Sequence, residues 1–194
     1  MKKLFTIASC VICFFVQAQE QESLTPKGFD RNRMFIGSGL NLGISNRSFN
    51  IGLNPEIGYS LTNWLDAGVA INFNYFSQSA ELNGIRYRNF NYGGGGFLRA
   101  WPVNFLYVQV QPEYNWVSSS QFAPSINQSF QYSLQAPSFL AGIGYGSRQV
   151  GSRLSYFSIM IDLMQELNSP YRDNFGDPLP VFRAGFGVYL KPKR

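Results

Sequence analysis

The sequence predicts an all-β fold: an eight-stranded antiparallel up-and-down barrel that crosses a membrane, behind a signal peptide. Three observations carry this reading. The body of the chain alternates apolar and polar residues with period two in eight successive runs, the mark of strands with two unlike faces. The connectors between runs alternate short and long, which describes a barrel with two unlike ends. Finally, only 14% of the 194 residues are charged, against about 25% in soluble domains, while 16% are aromatic. That mix excludes disorder and an ordinary water-facing surface.

The N-terminus reads as an address. Met1-Lys2-Lys3 is a basic start, Leu4 to Val16 is an almost unbroken apolar run, and Val16-Gln17-Ala18 supplies a small residue before a polar segment. The pattern predicts a secretory signal peptide over 1–18, too short for a helical span of about 20 residues. Ile7-Ala8-Ser9-Cys10 resembles a lipobox, but the apolar run continues past Cys10 to Val16, and cleavage there would leave half of it on the mature chain. The polar, aperiodic stretch 19–33 is a periplasmic lead-in, and 34–194 is the barrel domain.

The runs follow in order. Met34 to Ser45 sets Met34, Ile36, Leu40, Leu42 and Ile44 on one side. Phe49 to Leu61 opposes Phe49, Ile51, Leu53 and Ile57 to Asn50, Gly52, Asn54 and Glu56. Leu65 to Tyr75 opposes Val69, Ile71 and Phe73 to Asp66, Gly68 and Asn72. Phe90 to Pro102 carries Gly93–Gly96 and Arg99. Phe105 to Trp116 opposes Val108, Val110 and Tyr114 to Gln109, Gln111 and Glu113. Ser138 to Gly146, Leu154 to Gln165 and Val181 to Leu190 complete the set.

Short connectors are expected at Thr62–Trp64, Pro102–Asn104 and Gly146–Gly151, and long ones at Gln78–Arg86, Val117–Gln131 and Glu166–Leu179. The first hairpin, through Asn46-Arg47, is tight. Asn83-Gly84 is a two-residue hairpin signal. It pairs Leu82 with Ile85, so Phe73 should face Gly94 and Tyr75 should face Tyr92. Pro55, Pro112 and Pro137 lie inside strands and each lacks a ladder donor, so bulges are expected there.

The apolar face should point outward, to lipid. The opposite face is Asn, Gln, Gly and Ser with few charges, which suits a narrow lumen closed by its own hydrogen bonds. Tyr59, Trp64, Tyr75, Tyr92, Trp101, Tyr114, Trp116 and Tyr145 gather near strand ends, where amphipathic rings collect at a membrane boundary. A soluble lipocalin-like barrel, with the apolar face inside around a ligand, is the alternative.

This pattern, from Met34 to Leu190, resembles the small eight-stranded outer-membrane barrels of the OmpA and OmpX type. Within that class it is most similar to the outer-membrane β-barrel-domain proteins of Bacteroidota, the PorT-like group. The last strand of such barrels reads polar-x-Gly-x-x-apolar-x-apolar, and Arg183, Gly185, Val188 and Leu190 match it. Many relatives finish on an aromatic residue, whereas this chain runs on to Lys-Pro-Lys-Arg. The resemblance implies a Gram-negative outer-membrane location, with membrane lipid and the barrel-assembly machinery as partners.

Chemistry is sparse. The chain has no histidine, and both cysteines, Cys10 and Cys13, lie in the expected signal peptide. Ser-His-Asp catalysis, a Cys/His zinc site and a disulfide in the mature chain are excluded. Outer-membrane enzymes of similar build use a catalytic histidine, so no enzymatic activity and no cofactor are expected. The small positive charge is too scattered for nucleic acid. Six charges fall on the inner face: Glu56, Asp66, Arg99, Glu113, Asp162 and Arg183. They read as a structural network, with Asp66 paired to Arg99 and Asp162 to Arg183. The expected role is structural or interactive, exercised by a monomer through its extracellular loops or an unknown envelope partner. The lumen should be filled, and the protein should not be a general porin. A small-ligand binding or transport barrel is the second reading.

Overall fold

Hydrogen bonding closes the chain on itself. The computed structural model describes residues 28–44, 48–79, 86–123, 128–164, 166–172 and 178–190. The expected signal peptide, most of the lead-in and the Asn46-Arg47 and Asn83-Gly84 turns lie outside these residues. Arg31–Arg194 forms a unit by itself and holds the barrel. After a 3₁₀ turn at Arg31–Arg33 come β1 (Met34–Ile44), β2 (Ser48–Ser60), β3 (Leu65–Ser79) and β4 (Arg86–Val103). Then follow β5 (Leu106–Ala123), β6 (Gln128–Gln149), β7 (Arg153–Asp162) and β8 (Val181–Tyr189). Each strand pairs antiparallel with the next, and β8 returns to β1.

Alternation sorts the side chains as the sequence predicts. Val69 (59% exposed), Ile143 (64%) and Phe186 (64%) stand on the outer wall. On the same strands Asn72, Leu140 and Arg183 point inward and are buried.

The ends of the strands differ from expectation. Val117–Gln131 is not a long loop: β5 and β6 stay paired from Val117↔Leu134 to Ala123↔Gln128. Val117-Ser-Ser-Ser-Gln is polar on both faces for most of its length. The alternation therefore fades there while the backbone ladder, which does not depend on side-chain polarity, continues. The barrel is consequently lopsided, with β6 at 22 residues and β8 at 9.

The β3–β4 register also differs. Phe73 pairs with Tyr92 and Tyr75 with Phe90, two residues from the register that Asn83-Gly84 suggested. A two-residue slip keeps every side chain on its face, so alternation is blind to it. Barrel closure, which requires a consistent stagger around the ring, decides it.

No bulge forms at the three strand prolines. Pro55 pairs with Ser38 on β1, and the β2–β3 ladder skips Asn54 and Pro55 without changing register. Pro112 pairs with Phe139, and the β4–β5 ladder likewise skips it in register. Pro137 pairs with Tyr114, while the β6–β7 ladder begins only at Leu140. Each proline thus turns its missing donor to the side where the ladder is interrupted. The register shift in β4–β5 falls instead between Ala100 and Val103, around Trp101 and Pro102. Pro102 belongs to the strand rather than to the turn.

Trp101 is a further correction. It shares the inward parity of Phe97 and Arg99 and is buried, so it is not part of an outer aromatic girdle. It joins Phe35, Phe97, Tyr107, Leu154, Tyr156 and Tyr189 in an apolar cluster that fills the short-turn half of the lumen. The inner face is therefore not uniformly polar. The rings fit because glycines lie beneath them. A Cβ on Gly144 would collide with Cζ of Tyr107, and one on Gly58 would collide with Cζ of Phe35.

This packing predicts that Gly144→Ala destabilises the barrel by about 1–3 kcal/mol, the usual cost of overpacking. Gly96→Ala should be near neutral, because its nearest neighbour would be 3.7 Å away. Urea unfolding of both variants, followed by gel migration of the folded form, checks the contrast.

Candidate functional site: the lumen charge network

All six charged residues singled out from the sequence are buried in the lumen, but their partners differ from those expected. Arg99 lies on β4 directly opposite Asp66 on β3, yet it reaches past it. Its Nη2 donates to Oε2 of Glu56 on β2 at 3.1 Å, and its Nε donates to Oε1 of Gln109 on β5 at 2.9 Å. Its guanidinium carbon lies 4.5 to 5.1 Å from the ring centres of Tyr156, Phe97 and Tyr107. Such an aromatic box suits a weakly hydrated, delocalised cation.

Asp66 turns to the short-turn end. It accepts from Ser60 Oγ at 2.7 Å, Trp101 Nε1 at 2.9 Å and Arg148 Nη2 at 2.6 Å. Arg148 also donates to the carbonyls of Thr62 and Asn63, which ties the end of β6 to the turn between β2 and β3. The expected Asp66–Arg99 pair is therefore replaced by two others. The long arginine spans to a second strand, and the short aspartate keeps the donors at its own level.

Arg183 pairs with Glu113 rather than Asp162. The β7–β8 register sets Ser158, not Asp162, opposite Arg183. Arg183 donates to Gln111 Oε1 at 3.2 Å and Glu113 Oε1 at 3.1 Å. Asp162 instead accepts the backbone N–H of Phe139 at 2.9 Å and of Met164 at 3.1 Å, and the hydroxyl of Ser169 at 2.6 Å.

The β5 side chains join these centres. Gln109, Gln111 and Glu113 share one face of the strand. Gln109 donates to Gln111 at 2.7 Å, and Gln111 donates to Glu113 at 2.7 Å. Glu113 also accepts from Asn72 at 2.9 Å and from the hydroxyl of Tyr171 at 2.7 Å. The chain then continues from Asn72 to Asn115, Ser138, Ser169 and Asp162. Glu113 thus serves four donors. No carboxylate oxygen of this residue is left for proton transfer.

Tyr171 and Ser169 come from the β7–β8 connector and are buried. Tyr171 packs with Leu140, Met160 and Val181 at the long-loop end. Nothing in the local sequence marks either residue, since their role requires the connector to fold back into the mouth. Arg148 was legible in principle, as it shares inward parity with Gly144 and Gly146.

Among the described residues no group of three or more Asp, Glu or Cys side chains gathers to hold a metal ion. The residues matched to the assembly signal divide between the faces. Arg183 is buried and Val188 is exposed. Leu190 follows β8, its N–H donating to the carbonyl of Met34 at 2.8 Å.

Breaking a buried pair strands a charge, so Arg183→Met should cost about 3–5 kcal/mol. Double-mutant cycles should give Arg99 a coupling of about 0.5–3 kcal/mol with Glu56, larger than its coupling with Asp66. Equilibrium unfolding of the single and double variants measures both.

No protein-family model and no curated protein sequence matches the chain. Among solved structures, it is similar to a major outer membrane protein from Thermus thermophilus. The TM-score is 0.51 at 12% identity, covering 80% of this chain and 97% of that one. The attachment invasion locus protein Ail of Yersinia pestis matches with a TM-score of 0.47 at 13% identity, covering 80% and 95%. At such identities the likeness is one of fold, an eight-stranded up-and-down barrel.

Proposed function

We propose that the protein is an integral outer-membrane barrel with a structural or interaction role, a filled lumen and no enzymatic activity. The observation that carries the reading is the inversion of the two walls. The outer wall is predominantly Ile, Leu, Val, Phe and Tyr, while the inner wall holds the paired charges and amides. A lipocalin-type barrel needs the opposite arrangement. An eight-stranded lumen is just wide enough for its own side chains, and here rings fill one half and a bonded polar chain the other. This argues against a general porin and against the small-ligand reading.

An interaction role is favoured by the lopsided rim. Beyond Leu140, β6 continues to Gln128 with β5 on one side and, among the described residues, no strand on the other. Ser129, Gln131, Ser133 and Gln135, with Phe130 and Tyr132, are exposed there. A free sheet edge of this length offers backbone donors and acceptors to an extended partner segment. With an even strand number both chain ends share a side, the periplasm in this reading, so the tall wall faces outward from the cell.

Three outcomes test the reading. The folded protein should enter lipid vesicles and migrate anomalously on a gel before boiling. Val69→Arg or Val108→Arg should lower its stability by about 2–4 kcal/mol, the midplane cost of a lipid-facing charge. A protease site placed in 124–127 should be cut on whole cells, and one at 104–105 should not. Cleavage at 104–105 alone would reverse the orientation, and unchanged stability on adding arginine would overturn the membrane reading.

A further inference from the structure

The outer wall has a groove where β6, β7 and β8 meet. Its floor includes Ser147 and Ser155, and its sides include Tyr145, Phe157 and Phe186. The two serines face each other across the β6–β7 ladder, and Ser155 faces Phe186 across β7–β8. Two hydroxyls therefore lie low between raised rings on a mostly apolar wall. Arg153 lies two residues from Ser155 on the same face of β7 and is exposed, about 7 Å away along the strand. It starts β7 at the short-turn rim.

From the rim toward the middle of the wall, the order is one cation, two hydroxyls, then an apolar slot walled by aromatics. A glycerophospholipid presents the complementary order: a phosphate, ester carbonyls and an acyl chain. We infer that this groove binds one glycerophospholipid from the leaflet at the short-turn end. Arg153 meets the phosphate, Ser147 and Ser155 donate to an ester carbonyl, and the acyl chain lies between Tyr145, Phe157 and Phe186. Charge complementarity selects this occupant. A neighbouring apolar protein wall would have no use for the arginine at the rim or the paired hydroxyls. The inference rests on the membrane reading above and adds to it a specific site.

The full chain is folded into vesicles of phosphatidylcholine and phosphatidylglycerol in equal parts, extracted into mild detergent and examined by native mass spectrometry. The wild type should retain one phosphatidylglycerol. Arg153→Gln should lower the retained fraction about five-fold, the weight of one interfacial arginine. Ser155→Leu, which fills the floor, should lower it at least as far. Val69→Ser, which adds a hydroxyl on a distant part of the wall, should leave it unchanged. Both groove variants change outward-facing side chains, and heat-modifiable migration confirms that they fold. Retention in Ser155→Leu and Arg153→Gln equal to wild type would identify only annular lipid and overturn the site. A wild type that enters vesicles but retains no lipid overturns the site alone. A wild type that does not enter vesicles overturns the membrane reading and the site with it.

Discussion

The lumen of an eight-stranded ring holds a single layer of side chains and little else. Inward residues must therefore fill space and find most of their polar partners among one another, although Oε1 of Glu56, Nη1 of Arg99 and Nε of Arg183 keep none. This constraint explains the pairing of glycine with ring in the short-turn half. Tyr107 lies over Gly144 and Phe35 over Gly58, so the ring that fills the lumen takes the room its neighbour leaves empty. It also explains why the inward charges come with amides. Gln109 and Gln111 each donate and accept, which lets one strand link Arg99 to Arg183 and Glu113 without leaving either cation alone.

The same constraint makes the charge network weak evidence for transport or catalysis. A reactive carboxylate needs a path to substrate as well as an unengaged oxygen, such as Oε1 of Glu56. Glu113 has four donors, one of them the hydroxyl of Tyr171 from the connector that enters the mouth. Arg99 is enclosed by three rings and two hydrogen-bonding partners. Such an arrangement holds opposite walls of the ring together, since Arg99 joins β2, β4 and β5 and Arg183 joins β5 and β8.

Outside the lumen the strands obey different limits. Between β1, β7 and β8 the wall is low, and from β4 to β6 it is tall. Above the low wall the backbone of β6 has, among the described residues, a strand partner on one side. At the base of the gap the N–H of Leu163 donates to the carbonyl of Phe139. Pro137 lies just beyond that point and needs no donor on the open side. Among the described residues the rim is thus where the ladder stops closing the ring.

The fold was legible in the sequence because it depends on parity alone. Alternation identified eight strands, assigned Val69 and Phe186 to one wall and Asn72 and Arg183 to the other, and named six of the inward charges but not Arg148. It could not choose among registers two residues apart, which leave every face unchanged. The partner of Asp162 was therefore misread, as was the length of β5 and β6, where both faces turn polar, whereas Asp66 does face Arg99 and loses it because the long arginine reaches on to Glu56. Trp101 was misplaced because an aromatic at a strand end suits a girdle as well as a lumen. Tertiary structure decided these points. Closing the ring sets the stagger, and the stagger determines which side chains share a level. Only at a shared level can Arg148 meet Asp66, Arg183 meet Glu113 and Tyr171 reach down to Glu113.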